Sequence, residues 1–172
     1  KNSADHSTLE VNGARQVGKT YLINKFADEY FKQKIYINLF ELSGKQFLEC
    51  YEQAIAWKPG TKRPEHPLHD AFLLYEPSFQ DTEDTVIIID EIQESAEIYN
   101  RIREFTRQFK CRFIVTGSYL GRVYDSEFRF SSGDVTKLTI YTLSYEEFLR
   151  AFDESLYEQY CELAIGDRKS VV

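Results

Sequence analysis

Methionine is absent, and proline, cysteine and tryptophan are scarce, with four, three and one in 172 residues. The missing methionine suggests a trimmed chain, in which spacings inside a tight motif are intact and spacings between distant motifs are shortened. Cys50, Cys111 and Cys161 are odd in number and far apart, and Cys111 opens an apolar run. That usage argues against a disulfide framework and fits core thiols in a reducing compartment. Uninterrupted apolar stretches reach only about five residues, well short of the roughly twenty that cross a bilayer, and the amino end lacks the apolar segment of a signal peptide. No membrane association is expected, and a cytoplasmic location is. Positive charge is also in deficit, with 21 Lys and Arg against 28 Asp and Glu and a net charge of −7. Broad electrostatic capture of nucleic acid is therefore not supported, although a local basic patch is compatible with such a total.

What is present is an ordinary globular composition, 42% apolar and 28% charged, in a length that suits one domain. Residues 1–7 are polar and aperiodic and read as a tail. Strands are expected at 8–12, 34–39, 85–89, 112–116 and 135–143, and helices at 19–30, 47–57, 69–75, 98–109, 145–152 and 156–165. In the first helix Tyr21, Leu22, Phe26 and Tyr30 form the predicted apolar stripe, widened by Ile23 and Ala27. Residues 58–67, with Pro59, Gly60, Pro64 and Pro67, read as a loop, and residues 117–133 as a region punctuated by Gly and Ser. Alternating strands and helices predict an α/β fold with a mostly parallel sheet covered on both faces. The expected division is a tail at 1–7, the main domain at 8–152, and a helix or linker at 153–172 leading toward a further domain.

Gly13-Ala14-Arg15-Gln16-Val17-Gly18-Lys19-Thr20 satisfies the pattern G-x-x-x-x-G-K-[ST] and lies between a strand and a helix. Glycines let the chain bend until successive amides converge, and the helix start adds unsatisfied N–H groups, so the segment predicts a phosphate cradle. Lys19 is expected on the β- and γ-phosphates, and the Thr20 hydroxyl on Mg²⁺.

Val86-Ile87-Ile88-Ile89-Asp90-Glu91 delivers two acids at the carboxyl end of a branched apolar strand, the edge where parallel sheets place ligands. Asp90 is expected on the metal side opposite Thr20, and Glu91 on the water that attacks the γ-phosphorus. Helix-start acids are the ordinary alternative for such a pair, and Gln93 reads as helix-start chemistry. The next strand ends in Thr116-Gly117-Ser118. Thr116 and Ser118 are jointly expected to contact the γ-phosphate or the water, strand termination and helix capping being the bland alternative.

A cation should neutralise charge developing on the γ-phosphoryl group. Arg129 is the first choice, ahead of Arg122, Lys137 and Arg15, and a neighbouring subunit is expected to supply it. His66-x-x-His69 lacks companions for zinc and reads as surface histidines. Arg103 and Arg107 read as members of a solvated helix face near Glu104. Aromatic residues reach 15%, which predicts either a core rich in rings or an apolar surface that another domain covers.

The phosphate loop, Ile88-Ile89-Asp90-Glu91-Ile92-Gln93, Thr116-Gly117-Ser118-Tyr119-Leu120-Gly121 and Leu143-Ser144-Tyr145-Glu146-Glu147-Phe148-Leu149 together resemble a group of prokaryotic P-loop ATPases related to the AAA+ class. Members often carry a separate carboxyl-terminal domain of nuclease-like fold. The resemblance spans about residues 9–149. It implies a P-loop NTPase fold with a five-stranded parallel core, in which the Asp-Glu strand is not adjacent in sequence order to the phosphate-loop strand. It also implies ATP and Mg²⁺ as ligands. Members typically have Gly-Arg or Gly-Lys before the last strand, and here Gly133 is followed by Asp134. The leading expectation is ATP hydrolysis coupled to a protein partner or attached domain. A nucleotide-binding interaction module with little hydrolysis is the alternative, and a small-molecule kinase a weaker third. No Asn-Lys-x-Asp segment for reading guanine is present.

Overall fold

The structure is a computed structural model and describes residues 7–56, 65–117 and 134–169. Its sheet is built from β1 (Thr8–Gly13), β2 (Gln33–Asn38), β3 (Thr85–Asp90), β4 (Arg112–Thr116) and β5 (Val135–Ile140). The strands lie in the order β2-β3-β4-β1-β5, and every pairing is parallel. β2 separates β3 from β1 in sequence, as the resemblance implied, and in the sheet β4 lies between them. All six residues of β3 are buried, which accounts for its unbroken run of branched side chains. Each buried isoleucine there contributes about 1.5–3 kcal/mol relative to exposure.

Side chains alternate across the sheet, so each strand feeds two cores. Val11, Val86, Ile88 and Ile114 pack with Ile23 and Ala27 of α1 (Lys19–Tyr30) on one face. On the other, Ile35, Ile37, Ile87, Ile89, Phe113 and Val115 meet α2 (Leu42–Ile55), α3 (Pro67–Tyr75), α4 (Ala96–Tyr99) and α5 (Ile102–Gln108). Rings fill this larger core: Phe105 stacks on Phe113 with centroids 4.5 Å apart, and Phe47 on Phe72 at 4.9 Å. His69 is half-buried at the edge of this core, 5.5 Å from Phe79 and 5.9 Å from Phe109, while His66 is exposed as expected.

Three elements depart from the sequence reading. Of the apolar stripe predicted on α1 only the widening residues Ile23 and Ala27 are buried, together with Lys19, while its main row points outward, Tyr21 being 70% and Tyr30 60% exposed. The loop before α1 turns Lys19 inward, and residues four and eight further on must share its face. Phe26 and Tyr30 cover each other outside, with centroids 4.8 Å apart. The helix expected at 98–109 is two helices. The break falls at Asn100 and Arg101, where Arg101 donates to the Tyr51 hydroxyl at 2.9 Å and to Glu104 at 2.6 Å. Ile98, Ile102 and Phe105 stay buried across it. β5 stops at Ile140 rather than 143.

Asp134, which stands where the family pattern has a base, is 8% exposed. Its carboxylate meets Arg103 Nε and Arg107 Nε, each at 3.2 Å, and its carbonyl accepts from Thr8 N at 3.0 Å. The two arginines, each more than half exposed as expected of a solvated face, also brace the entry to β5 beside β1.

Two compact units divide the chain, Lys1–Ile140 and Tyr141–Val172. The second holds α6 (Tyr145–Phe152) and α7 (Glu154–Lys169). A capping box starts α6: Glu147 N donates to Ser144 Oγ at 3.2 Å, and Ser144 N to Glu147 Oε2 at 2.8 Å. The Tyr145 and Tyr160 rings meet edge to face at 5.4 Å. Among the described residues no helix is long and apolar enough to cross a membrane.

Candidate nucleotide site

Between β1 and α1 the backbone enters the left-handed region at Gly18 (φ 86°) and Gln16 (φ 65°), and Gly13 has φ 150°. A Cβ on Gly13 would lie 2.2 Å from the Ile140 carbonyl oxygen. A side chain at Gly18 would meet nothing, so conformation alone favours glycine there. Mixed handedness of this kind makes successive N–H groups converge on an anion. Immediately after the loop, α1 presents its amino terminus with no acidic residue in the first turn, which leaves that end of the dipole to an anion from outside.

Lys19 is 7% exposed, and its ammonium donates to the carbonyls of Gly13 at 3.0 Å and Ala14 at 2.8 Å. These bonds hold the charge within the loop, with a further N–H for a ligand. Thr20 Oγ1 donates to Asp90 Oδ2 at 3.0 Å. Asp90 reaches it because Val86, Ile88 and Asp90 share the α1 side of β3. The other carboxylate oxygen of Asp90 accepts from Glu91 N at 2.9 Å.

An open cleft of about 310 Å³ lies over this arrangement. It is lined by Arg15, Gln16 and Gly18 of the loop, Lys19, Thr20 and Tyr21 of α1, and Asp90 and Glu91 at the end of β3. Residues 70 positions apart in sequence thus meet across one cleft at the carboxyl edge of the sheet. Thr116 ends β4 with its hydroxyl buried and without a hydrogen-bond partner among the described residues. It does not line the cleft. Ser118, Arg122 and Arg129 lie outside the described residues.

Two participants were missed by the sequence reading. Tyr36, on β2, donates its phenolic hydrogen to Asp90 Oδ2 at 2.7 Å. Burial and then the Asp90 hydrogen bond push this phenol well above its usual range, so it remains a donor throughout the physiological range. An aromatic in an alternating strand reads simply as core, and only three-dimensional pairing reveals the hydroxyl's partner. Replacing Tyr36 with Phe should lower stability by about 1–2 kcal/mol, because a carboxylate loses a donor, while Mg²⁺-free ATP binding stays unchanged. Urea denaturation and calorimetry check this; an unchanged unfolding free energy would show that the bond contributes nothing. The second is Gln93, which is 8% exposed and donates its side-chain amide to Glu91 Oε2. It lies in the first turn of a 3₁₀ helix, Ile92–Glu94, as its helix-start reading expected, and its side chain is also tied to the acid.

Thr20 Oγ1 and Asp90 Oδ2 are hard oxygen donors side by side at the cleft. Mg²⁺ is commonly held by one or two such protein oxygens, completed by phosphate and water. The donor set fits that ion, and among the described residues no cluster of three or more His, Cys, Asp or Glu offers an all-protein site.

A phosphate loop leaving β1, acids leaving β3 and a parallel sheet with β4 between them define a P-loop NTPase. The sequence matches the model of a family described as an AAA domain over residues 5–149. The chain belongs to this family of AAA+-related P-loop ATPases. No curated protein matches the sequence. Among solved structures, the Aeropyrum pernix ORC1 protein in complex with DNA is 16% identical with a TM-score of 0.45, over 89% of this chain and 44% of that one. The Aeropyrum pernix ORC2 protein in its ADPNP–ADP complexes is 17% identical with a TM-score of 0.46, over 91% and 46%. The genome-packaging NTPase B204 of Sulfolobus turreted icosahedral virus 2, in complex with ATP-gammaS, is 14% identical with a TM-score of 0.39, over 91% and 87%. The chain spans less than half the length of the two Aeropyrum proteins.

Proposed function

We propose that the chain binds ATP with Mg²⁺, hydrolyses the β–γ bond, and uses the change of nucleotide state to alter its contacts with a protein partner or attached domain. The observation that carries this reading is the 3.0 Å bond between Thr20 and Asp90 in a cleft that Lys19 and Glu91 also line. When bound, Mg²⁺ would supply charge neutralisation at the β- and γ-phosphoryl oxygens, held by Thr20 and Asp90. Lys19 and the loop amides bind and orient the triphosphate. Glu91 holds a water in line with the γ-phosphorus and takes its proton as the new P–O bond forms. The bond to the bridging oxygen breaks, and its electron pair leaves with ADP. Arg15 lines the same cleft and brings a guanidinium from the loop itself, which supports it beside Arg129 as the cation for the transferring group. The outward apolar face of α1 begins at Tyr21, a cleft residue, and supports a protein as the partner that senses nucleotide state.

Phosphate release measured with ATP and with GTP, each with Mg²⁺ and with EDTA, tests this function. Release from ATP that EDTA abolishes is expected. ATP binding without release at any protein concentration would overturn hydrolysis and leave an interaction module.

A further inference from the structure

The turn after β3 and the end of β4 meet through one side chain. Glu91 sits in the left-handed region, with φ 52° and ψ 45°, and a short 3₁₀ turn, Ile92–Glu94, follows it. That turn brings Gln93 back toward Glu91. The amide nitrogen of Gln93 donates to Glu91 Oε2, and its amide oxygen is buried with no hydrogen-bond partner among the described residues.

The amide oxygen points at Gly117. A Cβ built there would lie 2.1 Å from Gln93 Oε1 and 3.2 Å from Gln93 Cδ. Gly117 is not one of the positive-φ glycines, which are Gly13 and Gly18. A side chain at this position would therefore displace the Gln93 amide from its place beside Glu91, and the space is filled by Gln93. The neighbouring Thr116 hydroxyl is also buried without a partner among the described residues. A buried, unpaired amide oxygen is costly unless its other end makes a bond the structure needs.

We infer that Gln93 is a positioning residue for Glu91, aiming its carboxylate into the cleft, and that Gly117 provides the clearance this requires. One oxygen of Glu91 is fixed by the amide, and the amide's own place depends on the missing side chain of Gly117, the residue after β4. A shift after the end of β4 is thereby transmitted to Glu91, the acid that follows β3. This inference rests on the hydrolytic role proposed for Glu91.

The test is a double-mutant cycle on the full chain with Gln93→Ala, Gly117→Ala and the combination. Each single change should lower kcat about tenfold, with the Kd for a non-hydrolysable ATP analogue within threefold of wild type. The combination should be no slower than Gln93→Ala alone, because truncating Gln93 vacates the space the new methyl needs. The same pattern is expected in urea midpoints: Gly117→Ala lowers the midpoint in the wild-type background and much less in the Gln93→Ala background. Independent, multiplying losses in kcat, or losses carried equally by analogue binding, would overturn the positioning role. If wild type binds the analogue but releases no phosphate, hydrolysis falls and with it the catalytic part of this role. The urea cycle still decides whether Gly117 makes room for Gln93. Equal midpoint shifts in both backgrounds would refute that packing relation.

Discussion

Replacing Glu91 with glutamine should lower phosphate release by roughly a hundredfold or more, since general-base assistance and water placement commonly contribute about 10²–10⁴ in rate. ATP and Mg²⁺ should still bind within a few-fold of wild type. Glutamine keeps nearly the volume of glutamate, and its amide oxygen can still accept the bond from Gln93. The loop, Lys19 and the Thr20–Asp90 bond at 3.0 Å are untouched. What disappears is the negative charge proposed to polarise the attacking water. Single-turnover hydrolysis beside calorimetric binding separates the two effects. Equal rates in mutant and wild type would remove Glu91 from the chemistry and turn attention to Asp90.

Replacing Lys19 with alanine should weaken ATP binding by about tenfold to a hundredfold, the equivalent of losing a charge-assisted hydrogen bond of about 1.5–3 kcal/mol. Binding of the bare nucleoside should not change by more than a few-fold. The lysine is proposed to act at the phosphate end: its ammonium is held at 3.0 Å from Gly13 O and 2.8 Å from Ala14 O, inside the loop proposed to cradle the anion. Its removal also leaves those two carbonyls without this donor, so a modest loss of stability is expected. Titrating ATP and adenosine against both proteins checks the difference. Equal losses for the two ligands would mean that the substitution disturbs the site as a whole and that Lys19 has no particular hold on phosphate.

Much of the architecture was legible because its signals are local. The glycine spacing of residues 13–20 and the branched run into Asp90 each carry their meaning within a few residues, and helix–strand alternation implies parallel pairing. The face of α1 was only half legible, since Ile23 and Ala27 belonged to the predicted stripe but Tyr21, Leu22, Phe26 and Tyr30 recur with the same helical period and outweighed them. Hydrophobicity favoured the aromatic stripe, but the phosphate loop sets the helix's rotation by turning Lys19 inward. The break at Asn100 and Arg101 has no Pro or Gly to announce it; Tyr51, from a helix 50 residues away, captures Arg101. Tyr36 and Gln93 were opaque for the same reason, because each acquires its role from a carboxylate that only the fold brings near.

At Glu91 the interests of heat resistance and turnover are opposed. A side chain with a Cβ in the left-handed region is disfavoured by roughly 1–2 kcal/mol, a penalty that glycine escapes and asparagine bears lightly. A mutant library screened only for surviving elevated temperature should therefore enrich glycine or asparagine at position 91. Each such survivor would have discarded the carboxylate proposed to activate water. A natural chain that keeps glutamate at φ 52° retains a less comfortable residue at the mouth of its own cleft, the pattern expected where rate rather than robustness has been selected.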